Sequence, residues 1–527
     1  MPRLFIGLGL LALLSLVGLT VLAFYGLLRF SSDITLNSLA DPYIHGIVWF
    51  SIKQAALSAL LSVVLGYLIA RALYYSPQLR GRAAFLSLCL LAFVMPTLVL
   101  VTGLVALLGR NGWLSPFLGA DWNLYGLQGI LLAHLYLNIP FVIRAIVLQL
   151  QAIPESSWRL ALQLKLSPWQ RWRYMELPSV GGRLIVLAGF VFVLCFNSFA
   201  VVLALGGGPQ ATTLEVAIYQ ALKYDFNISE ALVLAWLQFG IAGVLFAVLA
   251  RFSSGAWLSP DTGTQRYLPT PSPWVRGVYV LLYGGAWVLL VLPILTLIVE
   301  VWGLGSGHWQ SMQLLKPTLV TLGLALASAV STVVMAYLVL IPVRQAVLAR
   351  QRVYWLWEWL SLHNLVAPAM VLSVGIYIVV LRVMDLEHWG LVWVGIINTA
   401  LLVPFAVQQL KPQVLQFDAQ YENLVLTLKL SWRARLSVEL PWLRDTLGAA
   451  GVLVLLLAMG EVSIFAIFGT EQATSLPWLI YSYASTYRLP EAALASLVLL
   501  VLCGGIVGLW EYMQVRNTKV RSIHVSH

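Results

Sequence analysis

Apolar runs follow one another along nearly the whole chain, broken by short polar stretches. A bilayer core takes about 20 apolar residues per helix. On that measure the pattern predicts spans at 4–28, 48–72, 84–109, 124–150, 182–205 and 229–251, then at 276–301, 317–342, 353–381, 389–411, 444–468 and 492–513. The fold class expected is an all-α polytopic membrane protein of about twelve transmembrane helices. The first run follows a single early cation and is longer than the apolar core of a signal peptide, so it reads as an uncleaved first span. Between the sixth and seventh spans lies "FSSGAWLSPDTGTQRYLPTPSPW", residues 252–274. Its Ser, Gly, Pro and Thr content predicts a linker (252–275) joining a first half, 1–251, to a second, 276–527.

Composition supports this reading. Of 527 residues, 60% are hydrophobic and 10% charged, against about 25% charged in soluble domains. The net charge of +10 invites thoughts of nucleic acid, but the cations lie in loops, as the positive-inside rule requires. Arg71, Arg80 and Arg82 follow the second span; Arg344, Arg350 and Arg352 follow the eighth; Arg516, Lys519 and Arg521 follow the last. Both termini are therefore expected in the cytoplasm. Cys89, Cys195 and Cys503 sit inside apolar runs with no disulfide or zinc spacing. No metal-ligand, nucleophile or paired-carboxylate constellation stands out, and Glu358 reads as interfacial.

The two halves overlay on one another. "NIPFV" (138–142) meets "LVPFA" (402–406), and "LKLS" (164–167) meets "LKLS" (428–431), both 264 positions apart. "LP" at 177–178 meets "LP" at 440–441, and "PQATTLEVAIY" (209–219) meets "EQATSLPWLIY" (471–481). Four matches in order indicate a duplication. Six spans per half is an even number, so the repeats should be parallel.

Within the repeat one basic phrase recurs, at 153–178 and again at 417–441, between the fourth and fifth spans of each half. Pro154 suits a helix start, and a helix from there carries Leu160 and Leu164 on one face and Arg159 on another. Ser167 before Pro168 is a capping signal for a second helix, with Trp169, Trp172 and Arg173 at helical spacing. Leu177-Pro178 is expected to close the segment. In the second copy Asp418 is expected to cap the first helix and Ser431 the second. A single copy would also suit an amphipathic helix on anionic lipid. Two copies suit paired docking sites on a dimeric partner.

These residues resemble the cytoplasmic loop of inner-membrane subunits of bacterial binding-protein-dependent ABC importers, whose pattern is Glu-Ala-Ala, three residues, Gly, nine residues, Ile-x-Leu-Pro. Met175, Leu177 and Pro178 stand at the Ile-x-Leu-Pro positions. Ala161 matches the second Ala, Arg159 and Leu160 replace Glu and the first Ala, and Lys165 replaces the Gly. In the second copy, one residue shorter, Val438, Leu440 and Pro441 match the end; Asn423, Leu424 and Val425 lie over Glu-Ala-Ala and Lys429 over the Gly. Fused two-half permeases for ferric iron and for thiamine are similar in layout. "YGLQGILLAH" (125–134) and "LGGGPQATTLEVAIYQAL" (205–222) look most like the thiamine and thiamine pyrophosphate permeases. The resemblance implies a type I ABC importer permease fold, two copies of a cytoplasmic ATPase docked on the loops, and a periplasmic thiamine-binding protein. Consistently, the chain has no Gly-x-x-x-x-Gly-Lys-Ser/Thr phosphate loop, so it is read as a transport subunit without its own ATPase site or cofactor.

Charges within spans are functional hypotheses by default. Glu461, read as mid-span in "AMGEVSIF", and Asn197 in "CFNSF", almost opposite it in the repeat, are the candidates for the substrate path. A carboxylate there would balance the cationic thiazolium of thiamine. His134, Asn138 and Asn398 read as packing hydrogen bonds. Pro96 and Pro368 predict kinks in the third and ninth spans. The "GGGPQATT" and "GTEQATS" loops either touch a binding protein or form re-entrant turns at the outer mouth. A fused iron permease and an ion-coupled secondary transporter, with Glu461 as the coupling carboxylate, are the alternative functions.

Overall fold

The computed structural model describes residues 3–30, 41–119, 121–208, 211–250, 270–302, 313–349, 351, 354–469 and 474–525. Most of the expected linker (252–269), residues 209–210 and 470–473 of the "GGGPQATT" and "GTEQATS" loops, and Arg350 and Arg352 lie outside the described residues. Among those described, every regular element is helical.

The first repeat runs α1 (Arg3–Phe30), α2 (Pro42–Tyr75), α3 (Arg82–Val94), α4 (Thr97–Leu108), α5 (Leu127–Gln151), α6 (Glu155–Gln163), α7 (Pro168–Arg171), α8 (Leu177–Phe196), α9 (Ala200–Leu205), α10 (Leu214–Lys223) and α11 (Ile228–Ala250). The second runs α12 (Pro273–Trp302), α13 (Leu315–Leu348), α14 (Tyr354–Leu362), α15 (Ala369–Val380), α16 (Leu386–Thr427), α17 (Trp432–Met459), α18 (Phe465–Phe468), α19 (Leu476–Ser485) and α20 (Leu489–Val525). Among the described residues ten helices are long and apolar enough to cross a membrane, and up to twelve spans result when each bent pair counts as one. Those bent pairs fall where the prolines predicted. Pro96 separates α3 from α4 at 105°, and Pro368 separates α14 from α15 at 82°.

The repeats exchange their first helices. α2 packs on α5 and α8, as α13 packs on α16 and α17, but α1 packs on α13 and α15 while α12 packs on α2 and α4. Glycines permit the exchange. A Cβ at Gly375 of α15 would lie 2.2 Å from the Ala23 carbonyl of α1, and one at Gly103 of α4 would lie 2.5 Å from the Pro293 carbonyl of α12. These two glycines hold matching places after the two breaks. Leucines such as Leu11, Leu14 and Leu326 remain exposed on helices long and apolar enough to cross a membrane, as side chains that face lipid do.

Three boundary expectations need correction. Leu177-Pro178 does not close its segment, and its counterpart Leu440-Pro441 lies inside a helix as well. The helix from Pro168 continues to Phe196, and α17 runs from Trp432 through Pro441 to Met459. The fifth and eleventh spans therefore start earlier than 182 and 444. The tenth span does not stop at 411: its helix runs 42 residues, from Leu386 to Thr427. At about 1.5 Å per residue it is roughly twice as long as the bilayer core is thick, so its last turns project beyond the membrane. Asp418 consequently sits inside a helix and caps nothing. The cause is one residue. Pro154 holds the register place of Asp418, and with ψ 141 it is extended and ends the helix of the first repeat.

Candidate functional site

The duplicated basic phrase folds the same way twice. α6 ends in a Schellman turn: the Leu166 amide bonds to the Ala161 carbonyl (3.0 Å) and the Lys165 amide to that of Leu162 (2.9 Å). In the second copy Leu430 bonds to Val425 and Lys429 to Leu426, both at 3.2 Å. Lys165 and Lys429 carry the turn with φ +51 and +44. This left-handed region is where glycine is favoured, so the turn survives the loss of glycine at a strain cost. Ser167 then caps the next helix through a full capping box with Gln170, and Ser431 caps its counterpart by accepting from the Ala434 amide (3.3 Å).

Ala161 and Val425 are buried beneath their turns, as is Trp158, whose Nε1 donates to the Tyr74 hydroxyl (3.0 Å). The opposite face is apolar and bare. Leu160, Leu162 and Leu164 are 54%, 45% and 62% exposed, and Leu424, Leu426 and Leu428 are 53%, 63% and 59% exposed. Arg159 points outward, paired with Glu155 at 2.6 Å, and Asn423 is exposed. Of the family-matching ends, Met175 and Leu177 are half-buried, while Pro178, Val438, Leu440 and Pro441 are exposed.

The anchors of both loops turn on two glutamates that the sequence reading passed over. Glu176, buried, takes a bidentate bond from Arg71 (2.7 and 3.0 Å) and one from the Tyr75 hydroxyl (2.7 Å). In the same place Glu439 takes Arg344 Nη1 (2.6 Å) and the Tyr337 hydroxyl (3.0 Å). Arg344 also pairs with Asp418, and Arg435 reaches Asp418 (2.8 Å), Glu422 (2.7 Å) and Glu439 (3.3 Å). A signal existed in the sequence. A glutamate precedes Leu-Pro in both copies, and an arginine follows the second span of both repeats. The one-residue difference between the copies is also accounted for: Trp172–Glu176 forms a π-helical turn in the first, absent from the second.

A cavity of about 310 Å³ lies between the repeats. Glu461 and Asn197 both line it, with His134, Asn138, Asn364 and Asn398, and both broken helices reach it through Pro96 and Leu365. Glu461 is not mid-span. α17 ends at Met459, and the Glu461 carboxylate accepts from the amides of Ser463 (2.6 Å) and Ile464 (3.2 Å), starting the next turn. Asn197 likewise follows the end of α8 and donates to the Leu365 carbonyl of the other repeat (3.1 Å). The eleventh and fifth spans are therefore interrupted at these residues. His134 bonds to Ser58 (3.0 Å) and Asn138 to the His134 carbonyl (2.8 Å), the packing bonds expected, yet both also face the cavity. Asn364, missed in the sequence, accepts from Thr20 (2.9 Å) and donates to the Ala400 carbonyl (3.0 Å). Among the lining residues Glu461 is the one carboxylic acid, and no lysine or arginine accompanies it. Among the described residues no cluster of three or more His, Cys, Asp or Glu is placed to hold a metal. Glu358 pairs with Lys411.

Beyond the interruptions, α10 and α19 are ten residues each, too short to cross a bilayer. Each is pinned at its start by a hydroxyl of the second-span helix: Ser51 accepts from Leu214 N (2.9 Å), and Thr321 from Leu476 N (2.8 Å).

Comparison with known proteins agrees with this architecture. Residues 62–261 match the family described as binding-protein-dependent transport system inner membrane component. The chain is 35% identical over 490 residues to the thiamine transport system permease protein ThiP of Haemophilus influenzae, covering 88% of each chain. It is 34% identical to that of Escherichia coli over 91% of each, and 32% identical to that of Brucella abortus over 88% of this chain and 86% of that one. Matched nearly end to end with these permeases, the chain belongs to the ThiP family of binding-protein-dependent transport inner-membrane components.

Proposed function

We propose that this chain is the membrane subunit of an ATP-driven importer of thiamine and its phosphates, in two halves, 1–251 and 276–527, with both termini in the cytoplasm. The observation that carries the docking part is the duplicated leucine face. Two sets of three exposed leucines stand on equivalent, rigidly capped turns, 264 positions apart. An apolar knob of this kind needs a partner to cover it, and a matched pair fits a pair of identical cytoplasmic ATPase subunits. Arg159, Lys165, Ser167, Asn423, Lys429 and Ser431 would frame the two contacts, and the buried glutamate–arginine anchors would carry the ATPase's movement into α2, α8, α13 and α17. A periplasmic thiamine-binding protein would deliver substrate at the opposite end. Leu162→Glu combined with Leu426→Glu is expected to abolish co-purification with the ATP-hydrolysing subunit while leaving the permease in the membrane. Retained assembly overturns the docking reading.

The cavity supports the substrate part. Its one carboxylate, Glu461, suits the fixed positive charge of a thiazolium ring, and the surrounding asparagines suit an aminopyrimidine. Uptake of radiolabelled thiamine by Glu461→Gln is expected to fall at least about tenfold, the loss that follows from removing one desolvated charge contact. Unchanged uptake and unchanged ATP coupling would remove Glu461 from the path.

A further inference from the structure

The two broken spans look like copies of one another, but the other repeat grips them differently. At the Pro368 break the grip is a chain of hydrogen bonds. Glu215, fully buried on α10, accepts from the Met370 amide in the first turn of α15 (Oε1, 3.0 Å). Its other oxygen accepts from Gln238 Nε2 of α11 (2.6 Å). The same Gln238 nitrogen donates to Asn197 Oδ1 (3.0 Å), and Asn197 Nδ2 donates to the Leu365 carbonyl (3.1 Å). Leu365 is the last residue of the turn before the break and Met370 lies just after it. The first repeat thus holds the bend by a carbonyl on one side and an amide on the other.

At the Pro96 break the register places are filled otherwise. Pro477 stands where Glu215 stands, so no carboxylate reaches the start of α4. Gly460 follows α17 where Asn197 follows α8, and the neighbouring Glu461 accepts through Oε1 from Ser463 and Ile464 of its own repeat. What touches the break is Gly460: a Cβ there would lie 3.2 Å from Pro96 Cα. Among the described residues, no side chain of the second repeat is hydrogen-bonded to the backbone of 95–98. One break is held by directional bonds from a buried carboxylate; the other rests on a glycine surface that permits sliding.

We infer that Glu215 is a positioning residue that pins the α14–α15 bend and orients Asn197 at the cavity, leaving the α3–α4 bend as the compliant one. The pin acts in the resting protein and stands independently of substrate identity and of the ATPase. Gln238 is part of it, and its buried amide has no other bonded partner than Glu215 and Asn197.

The test compares the two bends in the full-length permease. Spin labels at exposed positions flank each: Ala84 and Arg110 for the first, Trp355 and Val383 for the second. The native cysteines are buried and stay. In the unsubstituted protein the 355–383 distance distribution is expected to be narrower than that of 84–110. Glu215→Ala is expected to broaden 355–383 about twofold while 84–110 stays as it was, as release of one local pin predicts. Glu215→Gln, which keeps an acceptor for Met370 but turns an amide toward Gln238, is expected to fall between. Equal widths for the two pairs in the unsubstituted protein overturn the inference, as does an unchanged 355–383 distribution in Glu215→Ala or equal broadening at both pairs. Should Glu215→Ala give no folded protein, Gln238→Leu, which removes the donor at the other end, is read by the same criteria.

Discussion

Glu176 and Glu439 hold one place in the two repeats, just before a Leu-Pro pair, and each meets an arginine from the second-span helix. Around that shared pair the repeats diverge. In the first, the surroundings are aromatic: Tyr67, Tyr75 and Trp172 donate or relay hydrogen bonds, and Arg71 remains 23% exposed. In the second they are ionic. Two arginines and three carboxylates interlock, and Arg344 and Glu439 are 1% and 0% exposed. One anchoring pair has been kept while the shell around it was rebuilt in different chemistry. Buried ion clusters add little over apolar packing when intact, but they are expensive to break, because the partner is left charged and desolvated. The second anchor should therefore be the more brittle of the two.

The largest effect tests that directly. Glu439→Ala leaves Arg344 short of a partner in a dry site and is expected to cost about 3–5 kcal/mol, seen as a loss of the folded permease in detergent thermal unfolding. Glu176→Ala leaves an arginine with water within reach and is expected to cost about 1–3 kcal/mol. Equal losses would mean that the ionic shell is no more fragile than the aromatic one. A smaller effect sharpens the contrast between the caps. Ser167→Ala removes half of a capping box, whereas Ser431→Ala removes a single bond. Costs of about 1 kcal/mol and somewhat less are expected, read from the same unfolding curves. The smallest effect runs the other way and should be alike in both repeats. Lys165→Gly and Lys429→Gly each relieve a left-handed lysine and are expected to stabilise by up to about 1 kcal/mol, raising the unfolding temperature by similar amounts.

Much of this was readable from the chain. The apolar period gave the spans, Pro96 and Pro368 marked the breaks, and Ser167 and Ser431 announced their helices, because each of these depends on neighbours within a turn. Asp418 misled for the same reason: locally it resembles a cap, and only the absence of a proline in its place, where the first repeat has Pro154, keeps the helix running through it. The interruptions at Asn197 and Glu461 were hidden because both lie in strongly apolar surroundings, and hydropathy does not register a helix that stops and restarts. The partners of Glu176, Glu439 and Glu215 come from helices tens to hundreds of residues away. Each of those carboxylates, taken alone, was an ordinary acidic residue near a span. Arg71 and Arg344 were legible as cations beside a span, and reading them for sidedness alone concealed their second role.

The π-helical turn at Trp172–Glu176 has a consequence for how such a chain can change over time. An extra residue in a regular helix turns everything after it by about 100°, which here would swing Glu176 away from Arg71 and rotate an entire membrane-crossing segment in its socket. Confining the surplus to one wide turn leaves the downstream register untouched. A twinned gene product can therefore tolerate unequal lengths in its two copies, provided that the difference is absorbed before the anchoring glutamate and not after it.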